Sequence, residues 1–312
     1  MESAPLDQQL LEDRLNPPGG RVRMVLDTDT YNEIDDQFAV VYSLLSSERL
    51  RVEALYAAPF HNSRSAGPGD GMEKSFDEIH RLLDRLSFLD LPRSGFVQRG
   101  AEAWMRDTNS PVGSDSADDL IEKALASPLE DPLYVVAIGA ITNVASAILL
   151  EPAIRERIVV VWLGGHARHW PDTREFNLYQ DPAASRVVLD SGVPLVRFPC
   201  MGVVSHLHTT LPEIAAHVKG RGAIGDYLYE IYRDYHEDQF AYSKQIWDIA
   251  PVGWLVSPGW APMERVSAPI LTEQLTWDFD ESRHKVACAR YVDRDNILRD
   301  LFTKLGRAAA DG

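Results

Sequence analysis

Short, almost uniformly apolar runs alternate with amphipathic stretches along most of the chain, and this alternation limits the fold more than any other feature. The runs are VRMVLDT (22–28), VEALYAA (52–58), PLYVVAIG (132–139), RIVVVWLGG (157–165) and PLVRFPC (194–200). They are too short for core helices and too continuously apolar for strands with one wet face. Helical patterns occupy 35–47, 72–86, 116–127, 141–151, 181–191, 224–240 and 293–308. Strands buried on both faces need helices on both faces. The pattern therefore predicts one α/β domain built on a mostly parallel, Rossmann-like sheet. Ligands of such sheets bind beyond the carboxyl ends of the strands, so strand-end residues are the candidates for function.

The chain is long enough for that core, with 312 residues of which 45% are hydrophobic. Residues 1–20, ending in NPPGG, read as a polar lead-in, and 21–312 as the folded domain. The net charge of −16 leaves no basic field for a nucleic-acid polymer or an anionic membrane. Small neutral or cationic ligands and divalent cations suit it better. The N-terminus shows no basic and apolar signal-peptide regions, and apolar runs stop short of the ~18 residues of a membrane helix. With only Cys200 and Cys288 as cysteines, a cytoplasmic location is expected. The Gly/Ser-rich stretch 62–71 reads as a loop beside a site.

The first apolar run ends in DTDTYNEIDD, which places Asp27, Asp29, Asp35 and Asp36 within ten residues. Carboxylates this close repel one another. Helix capping accounts for Asp35 or Asp36 at the start of a helix, but not for Asp27 and Asp29 as well. Phosphoryl transfer of the haloacid-dehalogenase kind fits the short VLDTDT pattern, with Asp27 as nucleophile and Asp29 as acid/base. A convincing downstream Lys and second acidic pair are not found. A divalent-cation site uses most of the cluster, because hard cations collect carboxylate and carbonyl oxygens. That reading predicts further oxygen ligands on later strand ends. FHN at Asn62, GAITN at Thr142–Asn143, REFNLYQDPAA with Glu175 and Asn177, and IWD at Asp248 supply them in order.

This order resembles the nucleoside hydrolases of the inosine–uridine preferring type. DTDTYNEIDD stands for their DxDxxxDD signature, two residues longer in the turn. FHN, GAITN, LGG (163–165), REFNLYQDPAA and Asp248 match the later motifs, and the resemblance spans roughly 22–255. Two positions depart from it. The Gly-Asn upstream of the Glu is absent, with His169–Trp170 about there, and the late His-Asp is Trp247–Asp248.

The resemblance implies calcium-dependent hydrolysis of the N-glycosidic bond of ribonucleosides to ribose and free base, by a homodimer or homotetramer. It implies Asp29, Asp36, the Thr142 carbonyl and Asp248 as Ca2+ ligands, with Asp29 also the base that activates water. Asp35, Asn62, Glu175, Asn177 and Asp248 are expected to hold the sugar, and Asp27 to support the ligands by hydrogen bonds. Trp247 is expected against the leaving base, which favours purine-like or pre-activated leaving groups. Its bland alternative is a core aromatic. Tyr232 and Tyr235 are further candidates for the base pocket. His61, His169 and His206 are candidates for the missing leaving-group acid. A protein that binds a ribosyl ligand without turning it over is the alternative from a different class, and the presence of Asp29 favours the enzyme.

Overall fold

The computed structural model describes residues 6–92 and 94–311. In chain order the elements are α1 (Gln8–Leu15), β1 (Val22–Thr28), α2 (Asp35–Leu45), β2 (Leu50–Ala57), α3 (Pro68–Arg85), β3 (Val97–Arg99) and α4 (Asp115–Ala126). Next come β4 (Leu133–Ala137), α5 (Thr142–Leu150), β5 (Ile158–Leu163), α6 (Phe176–Gln180), α7 (Pro182–Asp190), β6 (Leu195–Phe198) and β7 (His208–Thr209). Then follow α8 (Leu211–His217), α9 (Gly222–Tyr235), β8 (Lys244–Gln245), α10 (Ile249–Val256), β9 (Met263–Ser267), β10 (Ile270–Leu271), β11 (Trp277–Asp278), β12 (Lys285–Ala289) and α11 (Arg294–Asp311).

Eight strands form the main sheet in the order β3-β2-β1-β4-β5-β6-β12-β9. Every neighbouring pair is parallel except β12 with β9, which runs antiparallel at the edge. This is the mostly parallel sheet that the continuous apolar runs require. β1 and β5 are buried along nearly their whole length, and separate apolar clusters fill the two faces. The chain winds outward from β1 to β3, then returns to place β4 on the other side of β1. That reversal opens a crevice at the carboxyl end of β1, where DTDTYNEIDD begins. Among the described residues no helix is long and apolar enough to cross a membrane.

Four departures from the sequence reading have physical causes. The polar lead-in carries α1, whose Leu11 and Leu15 enter the core while Arg14 donates to the Leu129 carbonyl. β9 and β12 lie outside the expected strands: β9 is an edge strand with exposed Glu264 and Arg265, and the interior β12 is only five residues long and opens on exposed Lys285. α10 shows in the sequence only as a start at Asp248, since Pro251 and Gly253 break the usual helical pattern. α9 ends at Tyr235 rather than Phe240. There the Gln239 amide donates to the carbonyls of Arg233 and His236, and Asp238 accepts from the Phe240 N–H, so side chains take over bonds that a continuing helix would make.

Leu15 is 1% exposed in the main apolar cluster. Leu15→Ala is therefore expected to cost ~2–5 kcal/mol by transfer and cavity formation. The melting temperature should fall by several degrees, at roughly 2–4 °C per kcal/mol for large domains. An unchanged calorimetric melt would show that the N-terminal helix does not share the core.

Candidate active site

The carboxyl end of β1 and the amino end of α2 face each other across the turn 29–34. Asp27, Asp29, Asp35 and Asp36 are all essentially inaccessible to solvent. Thr28 and Asp36 close the turn through a hydrogen bond from the Thr28 hydroxyl to the Asp36 carboxylate. The Asn32 N–H donates to the Asp29 carbonyl at 2.7 Å. Behind the turn, Asn143 at the start of α5 donates to Asp27 Oδ1 at 2.7 Å. Asp27 is thereby tied into the scaffold rather than into the crevice. Gly139, in the turn after β4, permits the close approach of Asp29: a Cβ there would lie 3.1 Å from Asp29 Cγ.

Carboxylate oxygens of Asp35, Asp36 and Asp248 all lie within 4.8 Å of one another. Asp248 arrives on the residue preceding α10, far along the chain. The Trp247 N–H donates to Asp35 Oδ2 at 3.1 Å, which fixes the two segments together. Lys244 is buried beside them, bonded to Glu33 at 2.5 Å and 3.8 Å from Asp35.

These groups line a pocket of about 220 Å³ together with Asn32, Glu33, Ile138, Leu163, His166, Arg174, Glu175, Phe176, Asn177, Cys200 and Met201. Glu175 caps α6: its carboxylate accepts from the N–H groups of Gly165, Asn177 and Leu178. Asn177 donates its amide to the carbonyls of Ile138 and Leu163 at 3.0 and 3.1 Å, which leaves its Oδ1 to face the pocket. Trp247 packs half-buried against the main core and also lines the pocket.

Of the expected site residues, Asp35, Asp36, Glu175, Asn177, Trp247 and Asp248 line this one pocket. Asn62 stands one step back, its amide donating to Asn32 Oδ1 at 2.7 Å. Thr142 is buried, with its hydroxyl donating to Asp181 at 2.8 Å. The histidine expectations need correction. His61 is exposed beside Ser65, His169 is exposed in another cavity, and His206 stacks on Tyr291 and meets the Val292 carbonyl at 2.7 Å. His166 is the histidine in the pocket wall. Its Nδ1 accepts from the Met201 N–H at 3.3 Å, which puts the proton of the neutral ring on Nε2. Its position just beyond the strand-end LGG was the available signal. Tyr232 is a core residue, fully buried and donating to the Thr209 carbonyl at 2.6 Å. Tyr235 packs over Lys244 outside the pocket wall.

Comparison with known proteins places this geometry in context. The sequence profile described as inosine-uridine preferring nucleoside hydrolase matches residues 24–299. The pyrimidine-specific ribonucleoside hydrolase RihA of Salmonella typhimurium (strain LT2) is 27% identical over 254 residues, covering 72% of this chain and 76% of that protein. RihA of Escherichia coli O9:H4 (strain HS) is 26% identical over the same shares. Among solved structures, the plant nucleoside hydrolase PpNRh1 superposes with a TM-score of 0.72 at 20% identity, covering 93% of this chain and 99% of that one. The purine-preferring ribonucleoside hydrolase from Gardnerella vaginalis also gives 0.72, at 18% identity over 92% and 99%.

The electrostatics of the pocket ask for a cation. Both carboxylate oxygens of Asp29 and one of Asp27 are enclosed without a hydrogen-bond partner. Burial, and then the charges of Asp36 and Asp35, push Asp29 well above the usual carboxylate range. Burial and neighbouring aspartates do the same to Asp248, and carry Asp36 to about 7. Burial alone carries Asp27 and Glu175 to about 7 against their hydrogen bonds. Burial pulls Lys244 down, yet Asp35 and Glu33 hold it above its ordinary value, so this built-in cation serves Asp35. The orphaned oxygens of Asp29 and the raised pKa values of Asp29, Asp36 and Asp248 suit a divalent ion. Without metal, the folded state keeps protons that the unfolded chain has released above about pH 4. Its stability is therefore full below that pH and is lost as pH rises toward about 7, at ~1.4 kcal/mol for each tenfold difference in proton affinity between the folded and unfolded states. Melts of chelator-treated protein should fall by several degrees between pH 5 and pH 8, and an added divalent cation should restore the loss at pH 8. Asp36→Asn should flatten the pH dependence and weaken the response to the cation. A metal-free melt that rises over this range would contradict the electrostatic account.

Proposed function

Because the chain belongs to the inosine-uridine preferring nucleoside hydrolase family, we propose that it hydrolyses the N-glycosidic bond of ribonucleosides to ribose and free base with a bound Ca2+ and with Asp29 as general base. Membership in this family sets aside the phosphoryl-transfer reading of the aspartate cluster. The observation that carries the reading is one pocket at the sheet's switch point. Into it Asp35, Asp36, Glu175, Asn177, Trp247 and Asp248 converge from separate segments, beside an Asp29 with two unpartnered oxygens.

The proposed Ca2+ ligands are Asp29, Asp36, the Thr142 carbonyl and Asp248; Asp35 shares the carboxylate cluster. When bound, the ion would neutralise these carboxylates and acidify a water molecule. Cleavage of the bond from C1′ to the base leaves positive charge on the sugar, as in glycoside hydrolysis. Asp29 accepts the proton of the attacking water, and the carboxylates around it favour the cationic sugar. Asp35, Asn177 and Asp248 hold the 2′- and 3′-hydroxyls, and Glu175 completes the sugar pocket. Asn62 contributes through Asn32, whose side chain it holds. We take 21–312 as the catalytic domain, against which α1 packs, and the enzyme as a cytoplasmic homodimer or homotetramer.

Relatives of this chain carry the names pyrimidine-specific and purine-preferring, so base choice rests on this chain's own residues. The wall around Trp247 includes Phe176, Met201 and His166. An indole stacks on a base but offers it no acidic proton, which favours purine or pre-activated leaving groups.

A screen of purine and pyrimidine ribonucleosides for reducing-sugar release, with and without chelator, tests the reading. Release is expected to favour purines, to stop in chelator and to return with Ca2+. Release of phosphate from phosphomonoesters without any ribose release would overturn it. Asp29→Ala is expected to lower kcat by at least ~10²–10⁴-fold, the usual worth of a general base, with the fold intact by circular dichroism. Near-normal kcat would remove Asp29 from that role.

Trp247→Ala is expected to reduce kcat/KM for purine nucleosides by about one to two orders of magnitude, from ~1–3 kcal/mol of stacking. A nitrophenyl riboside, whose leaving group needs neither stacking nor an acid, should lose much less. Equal losses on both substrates, with a lowered melting temperature, would make Trp247 a core residue alone.

A further inference from the structure

On β6, in the middle of the sheet, stands Arg197, an arginine 4% exposed. A guanidinium stays protonated in proteins and carries five N–H donors. Burying that charge is costly unless an anion accompanies it. Among the described residues Arg197 has no ion pair. Its contacts are the Gly164 carbonyl at 3.5 Å and the face of Trp277 at 4.5 Å, and its Nε is enclosed with no acceptor. Its register partner on β5, Trp162, likewise buries its indole Nε1 without an acceptor. Both donors are enclosed without an acceptor, and of the two residues Arg197 reaches the wall of a cavity.

Arg197 forms part of the wall of a cavity of about 450 Å³, roughly twice the 220 Å³ of the catalytic pocket. Arg168 and Arg290, both exposed, stand in the same wall, and Arg168 lies 3.9 Å over the ring of Phe279. Two carboxylates share the wall. Glu264 lies 3.9 Å from Arg290 itself, an exposed and loose pair with which an entering anion competes, and Glu281 accepts from Ser267 at 2.9 Å and meets Lys285 at 3.7 Å. In a chain of net charge −16, four arginines around one cavity run against the overall field: Arg168, Arg197, Arg290 and Arg265, the last of which donates to Asn16 Oδ1 at 3.0 Å.

We propose that this cavity is a second ligand site, which takes a small phosphate-type oxyanion, free or as the phosphomonoester of a small organic molecule, on Arg197 with Arg168 and Arg290 at its mouth. Trp277 and Phe279 offer apolar faces to an organic group attached to the phosphate. The occupant would sit behind the loop that carries His166, because Trp277 donates its indole N–H to the His166 carbonyl at 2.9 Å. The site is independent of the hydrolytic reading.

The test is calorimetry and thermal melts of the full chain in sodium phosphate, and in ribose 5-phosphate, against sodium chloride of equal ionic strength. Wild type should gain at least about 2 °C over chloride with one or both probes, as a ligand bound only by the folded state requires. Arg197→Met should lose that gain. Arg168→Ala combined with Arg290→Ala should reduce it, and these surface changes keep the test open if Arg197→Met fails to fold. Tighter binding of ribose 5-phosphate would identify an organic phosphomonoester, and equal binding a free phosphate; both support the site. No gain with either probe, or a gain that the arginine variants retain, would overturn it.

Discussion

The structure depends on holding like charges together out of water. Four aspartates, Asp29, Asp35, Asp36 and Asp248, are buried at the one place where the sheet reverses its strand order. Their desolvation and mutual repulsion oppose the fold, and the surrounding architecture serves to contain both. The Thr28 hydroxyl bonds Asp36, the Trp247 N–H bonds Asp35, and Lys244 sits against Asp35 and Glu33. None of these reaches Asp29, whose two oxygens stay without partners. A site that satisfies one end of a carboxylate cluster with its own ammonium and leaves the other bare is built for an ion from outside.

The sheet supplies the rigidity this needs. Parallel strands covered on both faces form two apolar cores, and the site occupies their common upper rim. Helix starts and loops beyond the strand ends carry the polar groups of the pocket, and bonds to backbone position several of them. Asn177 is held by the carbonyls of Ile138 and Leu163, at the ends of β4 and β5. Glu175 receives three backbone N–H groups, so its carboxylate is fixed before any ligand arrives. Such anchoring favours a pocket set in advance, in which binding need not order the chain.

Residues whose placement follows from strand ends were legible in the sequence. β1 has the bounds its apolar run implies, Val22–Thr28, because the run stops where the carboxylates begin. Asp36, Asn177 and Asp248 could be named because each follows a strand or opens a helix in a parallel sheet, where such positions converge. The histidines were not legible. Which ring faces the pocket depends on how the loop after β5 folds back. Gly165 at φ +70° sends it past Thr173 and Trp277, so His166 points inward while His169 and Trp170 lie outside. That path is decided by β10 and β11, short strands far along the chain whose packing no local pattern announces. Lys244 was missed for a related reason. Its meaning lies in a partner, Glu33, more than two hundred residues earlier.

The bond between the Trp247 N–H and Asp35 links the two halves of the proposed substrate site. Asp35 belongs to the carboxylate group that would hold ribose, and Trp247 to the wall that would face the base. A carboxylate that accepts from the backbone of the residue bearing the indole fixes the distance between sugar and base contacts. Base discrimination in such a site need not come from a separate specificity loop. On the proposed reading it would follow from which side chain the Asp248 segment presents one residue before its own carboxylate. An indole there rewards a broad, stackable base, whereas an imidazole would add a proton donor for bases that leave poorly as anions. On that reading the same backbone frame would support opposite preferences with a change at one side chain, provided that Asp35 and Asp248 keep their places.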